Sequence, residues 1–97
     1  MGAPKFTWDL RKDAANQRKH GIGFAEAQSA FLDDDALLLD DPDHSEAEDR
    51  FLLIGLSQHL RVLVVAHCYR ASDAEIRLFS ARRVSQSESR RYAARGH

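Results

Sequence analysis

The chemistry available to this chain lies mainly in its arginines. Arg50, Arg70, Arg77 and Arg82 stand on or at the ends of expected strands. Guanidinium groups fixed on a sheet suit a phosphate ligand, because each offers a rigid fork of donors with permanent charge. The rival use is pairing with some of the 15 Asp and Glu residues. His20 lies in the segment N-Q-R-K-H-G at 16–21, at the end of an expected helix, where a histidine can move a proton or complement a helix dipole. His67 and Tyr69 share one face of an apolar strand, and such a histidine is more often a hydrogen-bonded core residue. Tyr92 would approach from a C-terminal helix. Asp41, Asp43, His44, Glu46 and Glu48 are dense enough in oxygen to attract a divalent cation. They lack the glycine and closing glutamate of a calcium loop, so a solvated acidic loop is the better reading. The chain has no glycine-rich phosphate loop, no Ser/His/Asp series of useful spacing and no Cys/His zinc pattern, and no cofactor is expected.

These residues are set in an ordinary globular chain of 97 residues, 43% hydrophobic and 30% charged, a size that suits one domain over 1–97. The longest apolar run, 62–66, is strand-sized and far short of a bilayer. The N-terminus lacks the apolar stretch of a secretion signal, and the one cysteine, Cys68, excludes an internal disulfide framework. Both point to the cytoplasm. A net charge of −1 hides a strong division. Residues 1–31 carry five basic and three acidic groups, 32–50 one and nine, and 51–97 eight and three, all eight being arginine. The C-terminal half can therefore present a positive patch that the total conceals.

The elements that must position these groups follow in order. Residues 5–8 read as a short strand. Asp9 is an N-cap for a helix over 10–20, and Gly21 is its left-handed stop. Phe24, Ala27, Ala30 and Phe31 have the spacing of a second buried helix face over 24–32, although Gly23 is a weak cap. Residues 36–39 suit an edge strand. Residues 50–57 and 62–69 form a hairpin, and the second of these, V-L-V-V-A-H-C-Y, belongs at the sheet centre. The segment E-I-R-L-F-S-A-R-R at 75–83 alternates, placing Ile76, Leu78 and Ser80 on one face and Glu75, Arg77 and Phe79 on the other. By that alternation Arg82 would come from a frayed strand end. Ser85-Gln-Ser-Glu88 is a capping box that starts the last helix. The order is β-α-α-β-β-β-β-α, an α+β domain with helices packed on one face of a largely antiparallel sheet and the other face partly open.

Taken together, six blocks resemble the BrnT family of type II toxin–antitoxin toxins. They are F-T-W-D at 6–9, N-Q-R-K-H-G at 16–21, F-A-E-A at 24–27, D-H-S-E-A-E-D-R at 43–50, I-R-L-F-S-A-R at 76–82 and E-S-R-R-Y at 88–92. Their order and spacing carry the resemblance. It implies a RelE-like ribonuclease fold and a toxin that cleaves RNA and halts translation, and the leading expectation is that this cleavage needs no metal. It further implies a cognate ribbon-helix-helix antitoxin, which neutralises the toxin and through which the complex reaches promoter DNA. His20, Arg50, Arg77, Arg82 and Tyr92 are the expected catalytic set, and Lys19, His44 and Glu48 also occupy motif positions. The family often has Ser or Thr where Gly23 stands. The competing expectation is a non-catalytic module of a toxin–antitoxin repressor complex that binds protein or nucleic acid.

Overall fold

The computed structural model describes residues 2–41 and 49–95. The chain runs β1 (Lys5–Thr7), α1 (Leu10–His20), α2 (Phe24–Ser29), a 3₁₀ turn (Ala30–Leu32), β2 (Leu37–Asp40), β3 (Phe51–Leu56), β4 (Val62–Arg70), β5 (Glu75–Arg83) and α3 (Gln86–Ala94). The strands form one sheet in the order β1-β5-β4-β3-β2. β1 runs parallel to β5 and the remaining pairs are antiparallel. The near-continuous apolar strand β4 therefore takes the centre, with β2 at an edge. Asp43, His44, Glu46 and Glu48, and with them most of the acidic loop considered for a cation, lie outside the described residues.

Local chemistry sets the helix ends. The Asp9 carboxylate accepts from the Arg11 and Lys12 amides, and Gly21 closes α1 at φ 71°. Gly23 offers α2 no side-chain cap. Asp13 of α1 supplies the missing acceptor by taking the Phe24 amide at 2.9 Å. Ser85 and Glu88 form the expected capping box at the start of α3.

The principal core lies between one sheet face and the α2 region. Ile22, Phe24, Ala27 and Ala30 meet Leu53, Leu63, Val65, Ile76, Leu78 and Ala81 there. Gly55 lets the 3₁₀ turn sit directly on β3, since a Cβ at this position would stand 2.7 Å from the Ala30 carbonyl oxygen. A buried carboxylate ties α2 to the β3–β4 hairpin. Glu26 is 6% exposed and accepts from Arg61 Nε at 2.7 Å and Ser57 Oγ at 2.7 Å. The Arg61 guanidinium holds the Glu26 carboxyl below its ordinary value.

Not all helices share that face. Register places Val64 opposite Ile54 and Arg82, on the side away from the principal core. α3 lies on this side, where its Glu88 reaches Arg82. The expectation of helices on one face and an open sheet opposite is therefore corrected. α3 buries none of its own residues. Its ties include Glu88 to Arg82 and Tyr92 to Asp33, polar contacts that a reading of apolar periodicity does not detect.

One side chain completes the sheet. β1 covers β5 only from Glu75 to Arg77. Beyond it, Asn16 takes the place of a neighbouring strand. Its Nδ2 donates to the Ala81 carbonyl at 2.8 Å, and its Oδ1 accepts the Ala81 amide at 3.1 Å. Nδ2 also donates to the Ile22 carbonyl at 2.7 Å, which ties down the turn after α1. Asn16 is 7% exposed, so these groups have little access to water. An Asn16→Leu variant should lose about 3 kcal/mol of stability, because the backbone groups it satisfied would stay buried and unmatched. Urea unfolding of the two proteins measures the difference.

Candidate functional site

The site begins with a fault in β5. Ala66 pairs with Ser80 and His67 with Leu78, which leaves Phe79 as an extra residue. Such a bulge puts two consecutive residues on one side and reverses the alternation beyond it. Ser80 therefore moves to the face of Arg77 and Phe79. Ala81 turns inward to the core and to Asn16, while Arg82 stands on the outer face opposite Val64. Two expectations are corrected by this one residue: Ser80 does not share a face with Leu78, and Arg82 does not fray from the strand end.

On the outer face, a cleft of about 330 Å³ has a floor of Leu52, Ala66 and Phe79. Lys12, Arg50 and Arg82 supply its cations, and Ser80 and Asp41 add polar groups. The cations come from separate parts of the chain. Arg82 comes from β5 and Lys12 from the first turn of α1, one turn before the Asn16 anchor. Arg50 immediately precedes β3, where the Asp41 amide donates to its carbonyl at 2.9 Å.

Two different devices hold the arginines. Arg50 stacks on Phe79 with its guanidinium carbon 4.0 Å from the ring centroid, and Lys12 Nζ lies 5.3 Å from the same ring. The negative face of an aromatic ring attracts such cations. Arg82 is fixed by a carboxylate. Its two terminal nitrogens donate to the two Glu88 oxygens at 2.8 and 2.9 Å. Glu88 Oε1 also accepts the Ser85 amide at 2.7 Å. One glutamate thus caps α3 and orients a cleft arginine.

The other expected site residues lie elsewhere. Arg77 shares the outer face but pairs in register with Thr7 and Cys68, roughly 15 Å along β5 from Arg82. Arg70, at the end of β4, is exposed and opposite Glu75. Neither lines the cleft. His20 sits half-buried at the end of α1, about 12 Å along the helix from Lys12. Tyr92 donates its hydroxyl to Asp33, and Arg95 covers its ring at 3.5 Å. Burial, and then the Asp33 carboxylate, push the phenol up to about 12. In this position Tyr92 anchors α3. His67 is fully buried, with Nδ1 3.0 Å from the Val65 carbonyl and Nε2 3.3 Å from the Tyr69 hydroxyl. Its burial lowers its proton affinity, and it edges against Phe31 in the core.

Lys12 and Phe79 were not singled out by sequence reasoning. Lys12 stands four residues before Asn16, so a buried Asn16 would already have turned Lys12 toward the same side. Phe79 alternates with Arg77 and faces out, which is unusual enough for an aromatic residue to mark a surface of use. Among the described residues, no group of three or more His, Cys, Asp or Glu is placed to hold a metal ion. No helix there is long and apolar enough to cross a membrane.

The Arg82–Glu88 pair makes a pH-dependent contribution to stability. Arg82 lowers the Glu88 carboxyl from 4.5 to about 2. A depressed carboxyl stabilises the fold fully above its ordinary value and loses that contribution as pH falls toward the folded one. The shift corresponds to at most about 3 kcal/mol. Solvent reduces it, since the Arg82 side chain is 41% exposed, and about 1 kcal/mol is expected. Urea midpoints between pH 4.5 and 2 should fall less steeply in Glu88→Gln than in the parent chain.

Comparison with known proteins places the whole chain. The family described as ribonuclease toxin, BrnT, of type II toxin–antitoxin system matches residues 8–88. A comparison with curated proteins finds no match. Among solved structures, the chain resembles the crystal structure of the Brucella abortus ribonuclease toxin BrnT, with 28% identity and a TM-score of 0.64. The match covers 87% of this chain and 100% of that one. With a family match over most of its length and this structural likeness, the chain belongs to the BrnT family of type II toxin–antitoxin ribonuclease toxins.

Proposed function

We propose that this protein is an endoribonuclease toxin that cleaves RNA at the cleft of Lys12, Arg50 and Arg82 and so inhibits translation. The observation that carries the reading is the meeting of three cations from α1, the start of β3 and β5 around one cleft on the outer sheet face. A phosphodiester needs such a set. When a ribose 2′-hydroxyl gives its proton to solvent and attacks the adjacent phosphorus in line, the bond to the 5′-oxygen breaks and negative charge grows on the non-bridging oxygens. Fixed donors aimed at that charge lower the barrier. Arg50 and Arg82 act on those oxygens. Lys12 stands where it can bind the neighbouring phosphate or give a proton to the leaving 5′-oxygen. Arg77, farther along the same face, engages a more distant phosphate of the strand. This scheme uses no metal. His20 and Tyr92 stand outside the cleft and have no direct part in it.

As a single toxin domain over 1–97 acting in the cytoplasm, the protein would be neutralised by a cognate ribbon-helix-helix antitoxin, through which the complex reaches promoter DNA. A second reading is a non-catalytic module that binds nucleic acid or protein in a repressor complex. One observation favours it: the two side chains expected to move protons, His20 and Tyr92, do not reach the cleft.

Incubation of purified protein with RNA in EDTA separates the readings. Cleavage is expected in EDTA, with Arg50→Ala and Arg82→Ala each slower by about a hundred- to thousandfold. Expression of folded Arg82→Ala should leave growth unimpaired. RNA binding without cleavage would favour the module, and undiminished toxicity of folded Arg82→Ala would remove Arg82 from the mechanism. Activity that requires a divalent ion would contradict the metal-free scheme.

A further inference from the structure

We infer that Phe79 is a positioning residue for the cleft cations: its ring holds Arg50 and Lys12 in place to receive a phosphate group. This rests on the phosphate-binding reading of the cleft but assigns a role to a side chain with no acid, base or charge of its own. Phe79 is the residue that the bulge inserts into β5, and its ring forms part of the cleft floor. The two cations nearest that ring belong to different segments, Arg50 at 4.0 Å and Lys12 at 5.3 Å.

The choice of an aromatic ring has a specific chemical consequence. Two positive side chains brought together repel each other, so an empty cleft tends to splay them apart. A carboxylate would hold them but would occupy N–H donors and cancel the charge that attracts phosphate. A ring attracts each cation through its quadrupole, carries no net charge and takes no N–H bond. Arg82 provides the contrast within one cleft, since Glu88 takes a donor from each of its terminal nitrogens. The Phe79 arrangement keeps donors aimed before substrate arrives, which is the condition under which fixed groups accelerate phosphoryl chemistry.

Phe79→Leu keeps an apolar side chain on the bulge and removes the ring, whereas Phe79→Tyr keeps the ring. In single-turnover cleavage of RNA, Phe79→Leu should be slower by about 10- to 100-fold. Its affinity for an uncleavable 2′-deoxy analogue should change by about threefold or less, because the charges remain. Phe79→Tyr should recover most of the rate. A Leu variant at the parent rate, or a Tyr variant as slow as the Leu variant, would overturn the role.

Inorganic phosphate serves as a second probe that is independent of cleavage. It should shift the Arg50 Nε–Hε and Lys12 side-chain NMR signals in the parent chain and in Phe79→Tyr, and much less in folded Phe79→Leu. Equal shifts in all three would overturn the inference even in an active enzyme. If the parent chain binds phosphate in this pattern and does not cleave RNA, the ribonuclease reading fails while the positioning role stands.

Discussion

One extra residue in β5 determines which side chains can meet on the outer face of this sheet. Strand alternation allows only two sets, and without the bulge Arg82 would follow Leu78 to the side of the principal core. The insertion at Phe79 reverses the phase halfway along the strand. Upstream, Ile76 and Leu78 face the core. Downstream, Ala81 does so and Arg82 faces out. A core-forming strand can thus present Phe79, Ser80 and Arg82 together without losing its own packing. The bulge also gives Ala81 its particular role, because its peptide groups face the edge that β1 leaves uncovered, where Asn16 completes them. The helix that carries Lys12 is therefore docked by the backbone of the strand that carries Arg82. The position of Lys12 in the cleft and the completion of the sheet edge thus rest on the same Asn16 contacts.

Electrostatics then has to keep like charges close together. The chain segregates its charge, with nine acidic residues in 32–50 and eight arginines from 51 onward. Two of those arginines are committed to carboxylates with structural duties, Arg61 to Glu26 and Arg82 to Glu88. Each carboxylate has further work, since Glu26 takes Ser57 and Glu88 takes the Ser85 amide. A shared acid of this kind is less readily displaced than a simple surface partner, because leaving it would also uncap a helix or unpin a hairpin.

Much of this fold is legible locally in the sequence, and the site much less so. Asp9, Gly21 and Ser85 mark helix ends through interactions that span only a few residues, and the structure places those ends as expected. The apolar run of β4 carries its central position in its composition. Arg50 and Arg82 were two of four strand arginines that the sequence offers for a phosphate, with carboxylate pairing as the rival use; Arg70 and Arg77 do not line the cleft, and Arg82 also has a carboxylate partner. The bulge was not legible, since nothing in E-I-R-L-F-S-A-R-R distinguishes a regular strand from one with an added residue. The register against β4 decides it, and that is a long-range property. The side of the sheet taken by α3 was hidden for a similar reason. The capping box tells where α3 starts, but Glu88–Arg82 and Tyr92–Asp33 tell where it goes, and the latter pair is 59 residues apart. Gly23 looked like a weak cap because the acceptor that serves α2, Asp13, belongs to the preceding helix.

The two arginines of the cleft would meet a phosphate under different constraints. Guanidinium offers five N–H donors. Glu88 engages one on each terminal nitrogen of Arg82, and the Arg83 carbonyl takes another at 3.2 Å. That leaves Nε–H and one terminal N–H, which lie along a single edge of the fork. Arg82 can therefore keep Glu88 and still present one bidentate edge to a phosphate, in an orientation fixed by the start of α3. Arg50 is held through the face of its guanidinium plane by the Phe79 ring, a contact that takes none of its N–H donors. A phosphodiester changes geometry as it passes through a five-coordinate phosphorus. Each arginine can offer donors to that change without releasing the group that holds it. The division of labour within the cleft follows from how each guanidinium is held, by a carboxylate at its edge or by a ring at its face.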